Sequence, residues 1–515
     1  MTEIELKLQV PAPQRVAVEA AVAGSRPAPR VRLQAAYHDT EDRLLAANRL
    51  ALRLRREGRQ WVQTLKGATD DGLVRNEHNV PRGAAAAMPA LDPNLHVGTP
   101  VGDRLLALLA AQPGAVLRTL YGTDIQRRTR ATLIRTPGQP QARVELAFDT
   151  GRIEADGAVI DVCELEIELL SGLPQAVIDT ARRWLPRHGL WIDTRSKAER
   201  GDLLARGERV APASRAQPVR LAASMSEAQA WQAVLHNLAD PMIGNASQIA
   251  SGAFEPEHVH QLRVGLRRLR SALALFERGD AADRALVDAA TTLFRQLGGA
   301  RDAAVVESEF AAGLRTAMGL ASVDAGATGA TGAPPPMPRT DAAEPVELLR
   351  CVATQTLLLD LLAATQRPIE LEGVDGEALR ERMAARLNRW HRQVVAGAKA
   401  YADLDDAARH RLRKRAKRLR YASEFCAGLF GARAVRRYLK PLAAMQERLG
   451  EVSDVLMAMA WFAGRGDADP QAMFARGWLA ARRGAAIDAA GPTLQAFVKV
   501  ERFWTKRKRR KSERD

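Results

Sequence analysis

The sequence predicts an α+β protein in which a strand-rich N-terminal part is followed by a long all-helical part. Up to about residue 205, short segments alternate between apolar and polar residues and are separated by Gly, Pro and Asp. From about residue 221, apolar residues recur at helical spacing almost to the end. Between these parts, residues 206–220 are rich in Arg, Ala and Pro, which is typical of a linker.

The same patterns predict the domain boundaries. We expect a first domain at 1–205, a linker at 206–220, a helical domain at 221–505 and a basic tail at 506–515. Residues 319–345 form a Gly-, Ala- and Pro-rich insert in the helical domain, and we expect that insert to be disordered. The linker predicts that residues 1–205 fold and act alone.

Individual elements of the first domain follow from the alternation and from helical spacing. The predicted strands are Glu3–Val10, Leu50–Arg56, Gln60–Lys66, Asp124–Ile134, Ala142–Asp149 and Val159–Leu170. The predicted helices are Pro13–Val22, Val101–Ala111 and Leu173–His188.

Charge is distributed unevenly along the 515 residues. The net charge is +16, but residues 1–210 hold 30 Lys and Arg against 26 Asp and Glu, which leaves 46 against 34 for the rest. A cationic helical part predicts a polyanionic partner: nucleic acid, anionic lipid or polyphosphate.

Other features exclude several classes of protein. Cys163, Cys351 and Cys426 are isolated in sequence, so neither a disulfide framework nor a zinc cluster is expected. The N-terminus lacks the apolar run of a signal peptide, and we find no apolar window of about 18 residues for a membrane span. The expectation is a cytoplasmic protein that does not enter membranes.

The polar faces of the predicted strands carry unusually many charges of one sign. In EIELKL, Glu3, Glu5 and Lys7 share one face of a strand, and in CELEIELL three glutamates do so. Like charges side by side repel one another unless cations lie among them, and other strands supply Arg and Lys. A closed sheet with a charged interior accounts for both features, and it suits a divalent metal with a bound phosphate chain.

These segments resemble the CYTH family, also called triphosphate tunnel metalloenzymes. The resemblance starts at EIELK and covers about residues 1–205. The further matching blocks are YHDTEDRLLAANRLALRLR (37–55), QTLKG (63–67), VELAFDTGRI (144–153), CELEIELLSG (163–172) and TRSKAERG (194–201). It implies an eight-stranded antiparallel tunnel that binds Mg²⁺ or Mn²⁺ and a triphosphate.

The resemblance also implies roles for individual residues. The implied metal carboxylates are Glu3, Glu5, Glu164 and Glu166. The implied triphosphate ligands, grouped as catalytic, are Lys7, Arg53, Arg55, Lys66 and Lys197. Residues expected in the interior without an assigned role are Glu77, Arg128, Arg130, Glu145 and Asp149, and the QRRTR segment allows two registers. The chain contains no GxxxxGK[ST] motif, which excludes P-loop chemistry.

The helical part contains a duplication. HQLRVGLRRLR (260–270) aligns without gaps with HRLRKRAKRLR (410–420), and LGGARDAAV (297–305) aligns with LGEVSDVLM (449–457). On a helix, His260, Arg263, Arg267 and Arg270 lie within about 80° of one another, opposite an apolar stripe. His410, Arg413, Lys417 and Arg420 repeat this basic stripe.

The paired motifs resemble the CHAD domain, a helical domain often found behind CYTH. The resemblance covers about residues 220–505. It implies two four-helix bundles related by a pseudo-twofold axis, and a basic cavity that binds inorganic polyphosphate. By position, the eight residues of the two basic stripes are expected to line that cavity.

Together these patterns predict a metal-dependent inorganic triphosphatase, which converts tripolyphosphate to pyrophosphate and phosphate and carries a polyphosphate-binding domain. Alternatives within the CYTH family are hydrolysis of nucleotide or thiamine triphosphates and cyclisation of ATP. A non-enzymatic polyphosphate-binding protein is a further alternative. Nucleic-acid binding is disfavoured because the basic stripe lacks interleaved aromatic residues for base stacking.

Overall fold

The computed structural model describes most of the chain, in eight ranges. They are residues 2–25, 28–68, 74–136, 138–277, 281–318, 343–367, 376–464 and 469–505. The insert predicted to be disordered at 319–345 lies outside the described residues as far as residue 342, and the basic tail at 506–515 lies wholly outside them.

The N-terminal part is an antiparallel sheet. Its strands are β1 (Thr2–Gln9), β2 (Arg30–Asp39), β3 (Leu50–Glu57), β4 (Gln60–Ala68), β5 (Val74–Ala84), β6 (Arg118–Ile134), β7 (Ala142–Ala155), β8 (Ala158–Ser171) and β9 (Trp191–Ile192). The order is β5-β4-β3-β2-β6-β7-β8-β1-β9, and β1 also pairs with β5. That last pairing closes the eight long strands into a ring, to which β9 adds a two-residue edge.

Five helices accompany the sheet. They are α1 (Arg15–Ala23), α2 (Leu44–Ala47), α3 (Pro100–Ala111), α4 (Gln175–His188) and α5 (Lys197–Ala205). The predicted strands and helices are all present, although β6 starts and β7 ends six residues beyond the predicted bounds. The elements β2, β5, β9, α2 and α5 were not predicted. β2 pairs with β3 on one side and β6 on the other, so tertiary pairing stabilises this strand.

The rest of the chain is helical, as predicted. Its helices are α6 (Glu227–Ala250), α7 (Pro256–Leu275), α8 (Ala281–Gln296), α9 (Gly298–Ala317), α10 (Ala343–Arg350), α11 (Val352–Thr365), α12 (Gly376–Lys399), α13 (Asp406–Phe425), α14 (Ala432–Ala463) and α15 (Pro470–Val498). All three cysteines are free thiols. No single described helix is long and apolar enough to cross a membrane, although α10 and α11, bent by 56° at their junction, meet that criterion together.

One end of the ring interior is apolar. Side chains from β2, β6, β7 and β8 meet there with Leu204 of α5, and Tyr37 and Tyr121 stack with ring centroids 4.8 Å apart. On β6, β7 and β8, the inward-facing charged residues lie beyond these apolar residues, towards the other end of the ring. The predicted charged interior is therefore confined to part of the closed sheet, and α5 plugs the apolar end.

The described residues group into two compact units. The first contains Met1–Arg215, Ala239–Leu262 and Ala343–Arg367, and the second contains Ala216–Leu238, Arg263–Ala342 and Pro368–Asp515. The first unit thus includes the C-terminal half of α6 and all of α10 and α11 beside the closed sheet. The predicted linker has neither helix nor strand, and within the first unit Asn245 bonds both backbone groups of Ser214.

The packing of α5 against the sheet requires a residue without a side chain at position 201. A methyl group at Gly201 would lie 2.2 Å from the Tyr121 ring, which is buried and cannot move aside. We expect Gly201→Ala to lower the free energy of unfolding by about 1–3 kcal/mol, as overpacking usually does.

Gly484→Ala in α15 is the control, because its methyl group would meet no described atom within 4 Å. It should raise stability by up to about 1 kcal/mol through helix propensity. Urea denaturation measures both. An unchanged midpoint for Gly201→Ala would contradict the packing of α5 onto Tyr121.

Candidate functional site

Strand alternation directs one set of charged side chains into the ring. On β3, Leu50 and Leu52 pack outside against α3, so Arg53 and Arg55 face inwards. On β8, Leu165 and Ile167 are fully buried on the outer face, and the glutamates between them face inwards. The interior therefore receives most of the residues that the sequence assigned to it.

Three carboxylates form the tightest group in the interior. Oxygens of Asp149, Glu164 and Glu166 lie within 4.8 Å of one another, a spacing that one divalent ion can bridge. Asp149 and Glu164 are fully buried. We call these three residues the covered cluster, because cations of the chain lie directly on them.

Lys197 occupies the centre of the covered cluster. Its Nζ lies 2.7 Å from Asp149 and 2.9 Å from Glu166, and it also contacts Glu164. The lysine is the first residue of α5, where Ser196 caps the helix and Glu199 completes a capping box. The capped turn thus fixes the direction in which the lysine enters the ring.

Two arginines complete the neutralisation. Arg127 on β6 forms two hydrogen bonds to Asp149, at 2.7 and 2.6 Å, and one to Glu166 at 2.5 Å. Arg200 on α5 bonds the second oxygen of Glu164. Burial alone would raise the pKa of Glu164, but Arg200 and Lys197 hold it well below its usual value. The pKa of Glu166 is held down in the same way by Lys197 and Arg127.

A second group of carboxylates lies on three neighbouring strands, and the charges of Lys66 and Arg127 act on it. Cross-strand register places Glu168 opposite both Glu5 of β1 and Glu145 of β7. The pKa of Glu168 is raised by burial and then by the charges of Glu145 and Glu5. We call these three residues the like-charge group. Their repulsion is relieved when a cation binds among them.

Arginine and lysine side chains face these carboxylates. Arg53 donates a hydrogen bond to the Tyr37 hydroxyl at 3.2 Å, and Arg55 pairs with Glu57. Burial and the neighbouring Arg53 lower the pKa of Arg55. The buried Nε atoms of Arg53 and Arg55 have no hydrogen-bond partner among the described residues. Two adjacent guanidinium groups with unused donors suit an anionic ligand.

The remaining predicted interior residues are held by the chain itself. Lys7 is buried and donates to the Arg195 carbonyl at 2.6 Å. Lys66 pairs with Glu77, which also accepts a hydrogen bond from Asn79 at 2.8 Å.

Two predicted interior residues point outwards, which corrects the register assigned to QRRTR. Arg128 bonds the Ala28 carbonyl at 2.7 Å and Glu19 of α1, and the Arg130 guanidinium lies against Gly24 after α1. Arg127 takes the interior position instead, because odd-numbered residues of β6 face inwards. The inward Tyr121 and Ile125 on the same strand were the sequence signal for this register.

Strand register separates the carboxylates that the sequence assigned to the metal, and the assignment itself stays a prediction. Register pairs Glu5 with Glu168 and Gln9 with Glu164, so Glu164 does not lie beside Glu5. Both oxygens of Glu164 already contact cations. Glu3 lies in β1, but its side chain is outside the described part of the structure. Glu168, which was not among the residues assigned from the sequence, faces inwards like Glu164 and Glu166.

In the second unit, the duplicated basic stripes meet. Arg263 and Arg267 lie on α7, and Arg413 and Lys417 lie on α13. Burial lowers the pKa of Lys417 to about 6, and Arg267, Arg413 and Arg263 add to the shift. We call these four residues the cationic cluster. The apolar stripe opposite them is buried as predicted, with Leu262, Leu266, Leu269, Leu412 and Leu419 at most 2% exposed.

The duplication extends to contacts. A methyl group at Gly298 would lie 3.6 Å from Arg263, and one at Gly450 would lie 3.9 Å from Arg413. The glycines of the LGGARD and LGEVSD segments therefore lie against equivalent arginines. The repeats differ in one respect: α8 and α9 meet at Leu297, whereas α14 runs continuously through the corresponding position.

The outer members of the two stripes have further contacts of their own. Arg420 pairs with Glu424 at 2.8 Å, and Arg270 is exposed, with its pKa lowered by burial and by Arg295 and Arg418. His260 belongs to the first unit, one turn before the cluster begins on α7. The pKa of exposed His410 is lowered by burial and by nearby Lys414, Arg413 and Lys417.

Comparison with known families agrees with the fold of both the strand-rich part and the helical part. The CYTH domain model matches residues 1–201, and the CHAD domain model matches residues 233–463. The chain carries a CYTH domain followed by a CHAD domain. The resemblance of the EIELK segment to the CYTH family and of the paired HxxR motifs to the CHAD domain is thereby confirmed.

Individual relatives cover less of the chain. An inorganic triphosphatase from Haemophilus influenzae is 30% identical over 173 residues, which are 33% of this chain and 44% of the relative. The chain thus matches less than half the length of that curated relative. The CHAD domain of the plant Ricinus communis is 29% identical, covering 55% of this chain and 96% of that chain with a TM-score of 0.41. A putative adenylyl cyclase from Hippeastrum, described as having a dominant triphosphatase activity, is 18% identical, covering 40% of this chain and 96% of that chain with a TM-score of 0.28.

The inward position of Arg127 can be tested against its outward neighbour. Arg127→Ala leaves Asp149 and Glu166 with fewer partners in a buried setting, which costs about 3–5 kcal/mol of stability near neutral pH. Arg128→Ala, the control, removes outer-surface contacts and should cost about 1 kcal/mol.

The difference between the two variants should depend on pH. Because cations lower the pKa of Glu166 in the folded protein, its stabilising contribution is present at neutral pH and is lost as the pH falls. The cost of Arg127→Ala should therefore shrink in acid. Denaturation of both variants across the acidic range measures this, and equal costs at every pH would contradict the assigned register.

Proposed function

We propose that the CYTH domain is a metal-dependent inorganic triphosphatase that cleaves tripolyphosphate into pyrophosphate and phosphate. The observation that carries the proposal is the like-charge group of Glu5, Glu145 and Glu168, which faces the arginine pair Arg53 and Arg55 inside one closed sheet. Carboxylates attract a divalent cation, and guanidinium groups attract phosphate oxygens. A phosphate chain with a divalent ion satisfies both sets at once.

The carboxylate donors fit Mg²⁺ or Mn²⁺, which prefer oxygen ligands. We assign the metal to Glu5 and Glu168, with Glu145 and Glu166 on the neighbouring positions of the sheet. When bound, the ion supplies Lewis-acid polarisation of phosphate oxygens and of water. The covered cluster already has its cations, so it serves to hold Lys197 and Arg127 in place.

The chain's own residues supply binding and charge stabilisation. Arg53 and Arg55 offer buried donors to the phosphate chain, and Lys66 lies beside them on the neighbouring strand. In the reaction a water oxygen bonds to the terminal phosphorus, the bond from that phosphorus to the bridging oxygen breaks, and pyrophosphate leaves. Positive groups fixed before the reaction stabilise the charge that develops on the transferred phosphoryl group.

The described aromatic residues favour an inorganic substrate over a nucleotide. Tyr37 and Tyr121 face inwards but stack on each other in the apolar end, and each is at most 9% exposed. Trp61 and Phe148 lie on outward-facing positions of their strands. A base would find little exposed aromatic surface here. Nucleotide and thiamine triphosphates are therefore the second choice.

The metal assignment predicts the behaviour of two isosteric variants. Glu5→Gln and Glu168→Gln remove charge but keep size, so both should raise the Mg²⁺ or Mn²⁺ concentration needed for half-maximal tripolyphosphate hydrolysis and lower turnover strongly. Phosphate release across a metal titration measures this. Glu154→Gln is the control, because Glu154 pairs with Arg152 on the outer face of β7.

The fold of each variant is checked by its thermal midpoint. Near-wild-type turnover and metal dependence in Glu5→Gln and Glu168→Gln would refute the metal role of the like-charge group. An equal loss in Glu154→Gln would show that the effect is not specific to the interior.

For the CHAD domain we propose binding of inorganic polyphosphate at the cationic cluster. Four cations of two helices converge there, and Asp454 pairs with one of them, Arg413, at 3.5 Å. A linear polyanion provides many charges without requiring sequence readout. Nucleic acid fits less well, because the described rings beside the α7 arginines are covered. Phe294 is partly buried under Arg263, with 4.4 Å between Cζ and the ring centroid, and Tyr421 and Phe425, beside Arg268, are buried.

Binding should be coupled to proton uptake. With a pKa of about 6, Lys417 is mostly neutral at slightly alkaline pH, and a bound polyanion raises that pKa, so binding takes up about one proton. Calorimetry in buffers of different ionisation enthalpy measures the uptake. Lys417→Met should abolish it, whereas Lys414→Met on the exposed face of the same helix should not.

Charge reversal provides the matching affinity test. Arg267→Glu with Lys417→Glu should abolish binding of long-chain polyphosphate and leave hydrolysis by the CYTH domain intact. Wild-type affinity of this double variant in moderate salt, or proton uptake that persists in Lys417→Met, would refute the proposed site.

A further inference from the structure

A short segment, residues 191–196, lies between the charged interior and two helices from far along the chain. It starts as β9, whose Ile192 and Trp191 pair with Leu8 and Gln9 of β1. It ends at Ser196, which caps α5. The distant helices are α6 and α11, and the parts that contact the segment belong to the same compact unit as the closed sheet.

Two buried polar side chains of those helices hold Ile192 by its backbone. Gln355 of α11 accepts a hydrogen bond from the Ile192 N–H at 2.8 Å, and Ser247 of α6 donates to the Ile192 carbonyl at 3.2 Å. Each side chain is 1% exposed. Gln355 is itself anchored, since its amide donates to the Leu349 carbonyl at 2.6 Å. Ser247 also accepts from the Thr194 N–H at 3.2 Å.

The other side of the segment is bonded to the interior lysine of β1. The Asp193 N–H donates to the Lys7 carbonyl at 3.0 Å, and the Lys7 ammonium donates to the Arg195 carbonyl at 2.6 Å. Asp193 is fully buried and binds the Arg195 guanidinium through both oxygens, at 2.9 and 2.8 Å. The segment therefore fixes the position and direction of Lys7.

The segment then leads directly into α5 and its cations. Lys197 and Arg200, one helical turn apart, lie on Glu164. Any movement of residues 192–196 would shift the start of α5 and with it both cations. Buried backbone groups require partners, and in this place the partners come from α6 and α11.

We propose that Ser247 and Gln355 are positioning residues for the triphosphatase site. They fix residues 192–196 and through them hold Lys7 and Lys197 at the carboxylates of the interior. The proposal rests on the proposed function for its effect on catalysis. It also implies that the catalytic unit extends beyond residues 1–205, because segments 239–262 and 343–367 supply these two side chains.

Single substitutions in the full-length chain test the proposal. Ser247→Ala removes the hydroxyl, and Gln355→Met keeps the length but removes the acceptor for Ile192. Each should lower kcat/KM for tripolyphosphate by about tenfold to a hundredfold, as small misplacements of charged groups do. Ser247→Thr keeps a hydroxyl and should restore most of the activity.

Matched controls lie at the ends of the same helices. Ser251→Ala, one turn after Ser247 and just past the end of α6, removes a hydroxyl that donates to the Gln248 carbonyl and accepts from the Ala253 N–H. Gln366→Met removes an amide at the end of α11. Both should leave kcat/KM near wild type. Thermal midpoints identify variants whose loss of activity reflects unfolding.

Hydrogen exchange separates this proposal from the proposed function. The amides of Ile192, Asp193 and Thr194 should exchange faster in Ser247→Ala and Gln355→Met at native pH, whether or not tripolyphosphate is the substrate. Unchanged exchange at these amides would overturn the positioning role. So would wild-type kinetics in both variants of an active enzyme. An inactive wild-type protein whose variants exchange faster would refute the triphosphatase and leave the positioning of the segment standing.

Discussion

Neutralising the buried carboxylates of β7 and β8 is the constraint on which the rest of the first unit depends. Ionised side chains without contact to water cost several kcal/mol each unless cations lie against them. Asp149, Glu164 and Glu166 receive those cations from a strand, through Arg127, and from α5, through Lys197 and Arg200. The position of α5 is therefore set by charge at one end and by Tyr121 and Leu204 at the other. The apolar plug and the charged interior are two parts of one arrangement.

The same constraint distinguishes carboxylates that stabilise the fold from carboxylates that we propose bind a ligand. Where the chain supplies its own cations, the carboxylates are already satisfied and hold the framework. At Glu5, Glu145 and Glu168, burial and like charges raise the pKa of Glu168, and we propose that a divalent cation binds there. In the second unit the excess charge is positive, since Arg263, Arg267, Arg413 and Lys417 lie together, and Asp454 pairs with Arg413 at 3.5 Å.

Much of this could be predicted from the sequence, because strand and helix periods assign side chains to faces. The charged face of EIELKL, the apolar stripe of Leu262, Leu266 and Leu269, and the boundary between strands and helices all follow from period alone. Register does not. QRRTR offers two alternations, and only pairing with β7 places Arg127 inside. Which residue of β8 lies opposite Glu5 also depends on register, and pairing places Glu168 there. The role of Gln355 had no local signal, because its partner Ile192 lies 163 residues away.

The central claim is that the interior binds a metal with a tripolyphosphate and hydrolyses it. The most direct measurement is phosphate release from tripolyphosphate, ATP, thiamine triphosphate and long-chain polyphosphate, each with Mg²⁺, with Mn²⁺ and with a chelator. The account predicts the highest kcat/KM for tripolyphosphate, with activity lost in the chelator. Faster hydrolysis of ATP or thiamine triphosphate, or release that persists without metal, would contradict it.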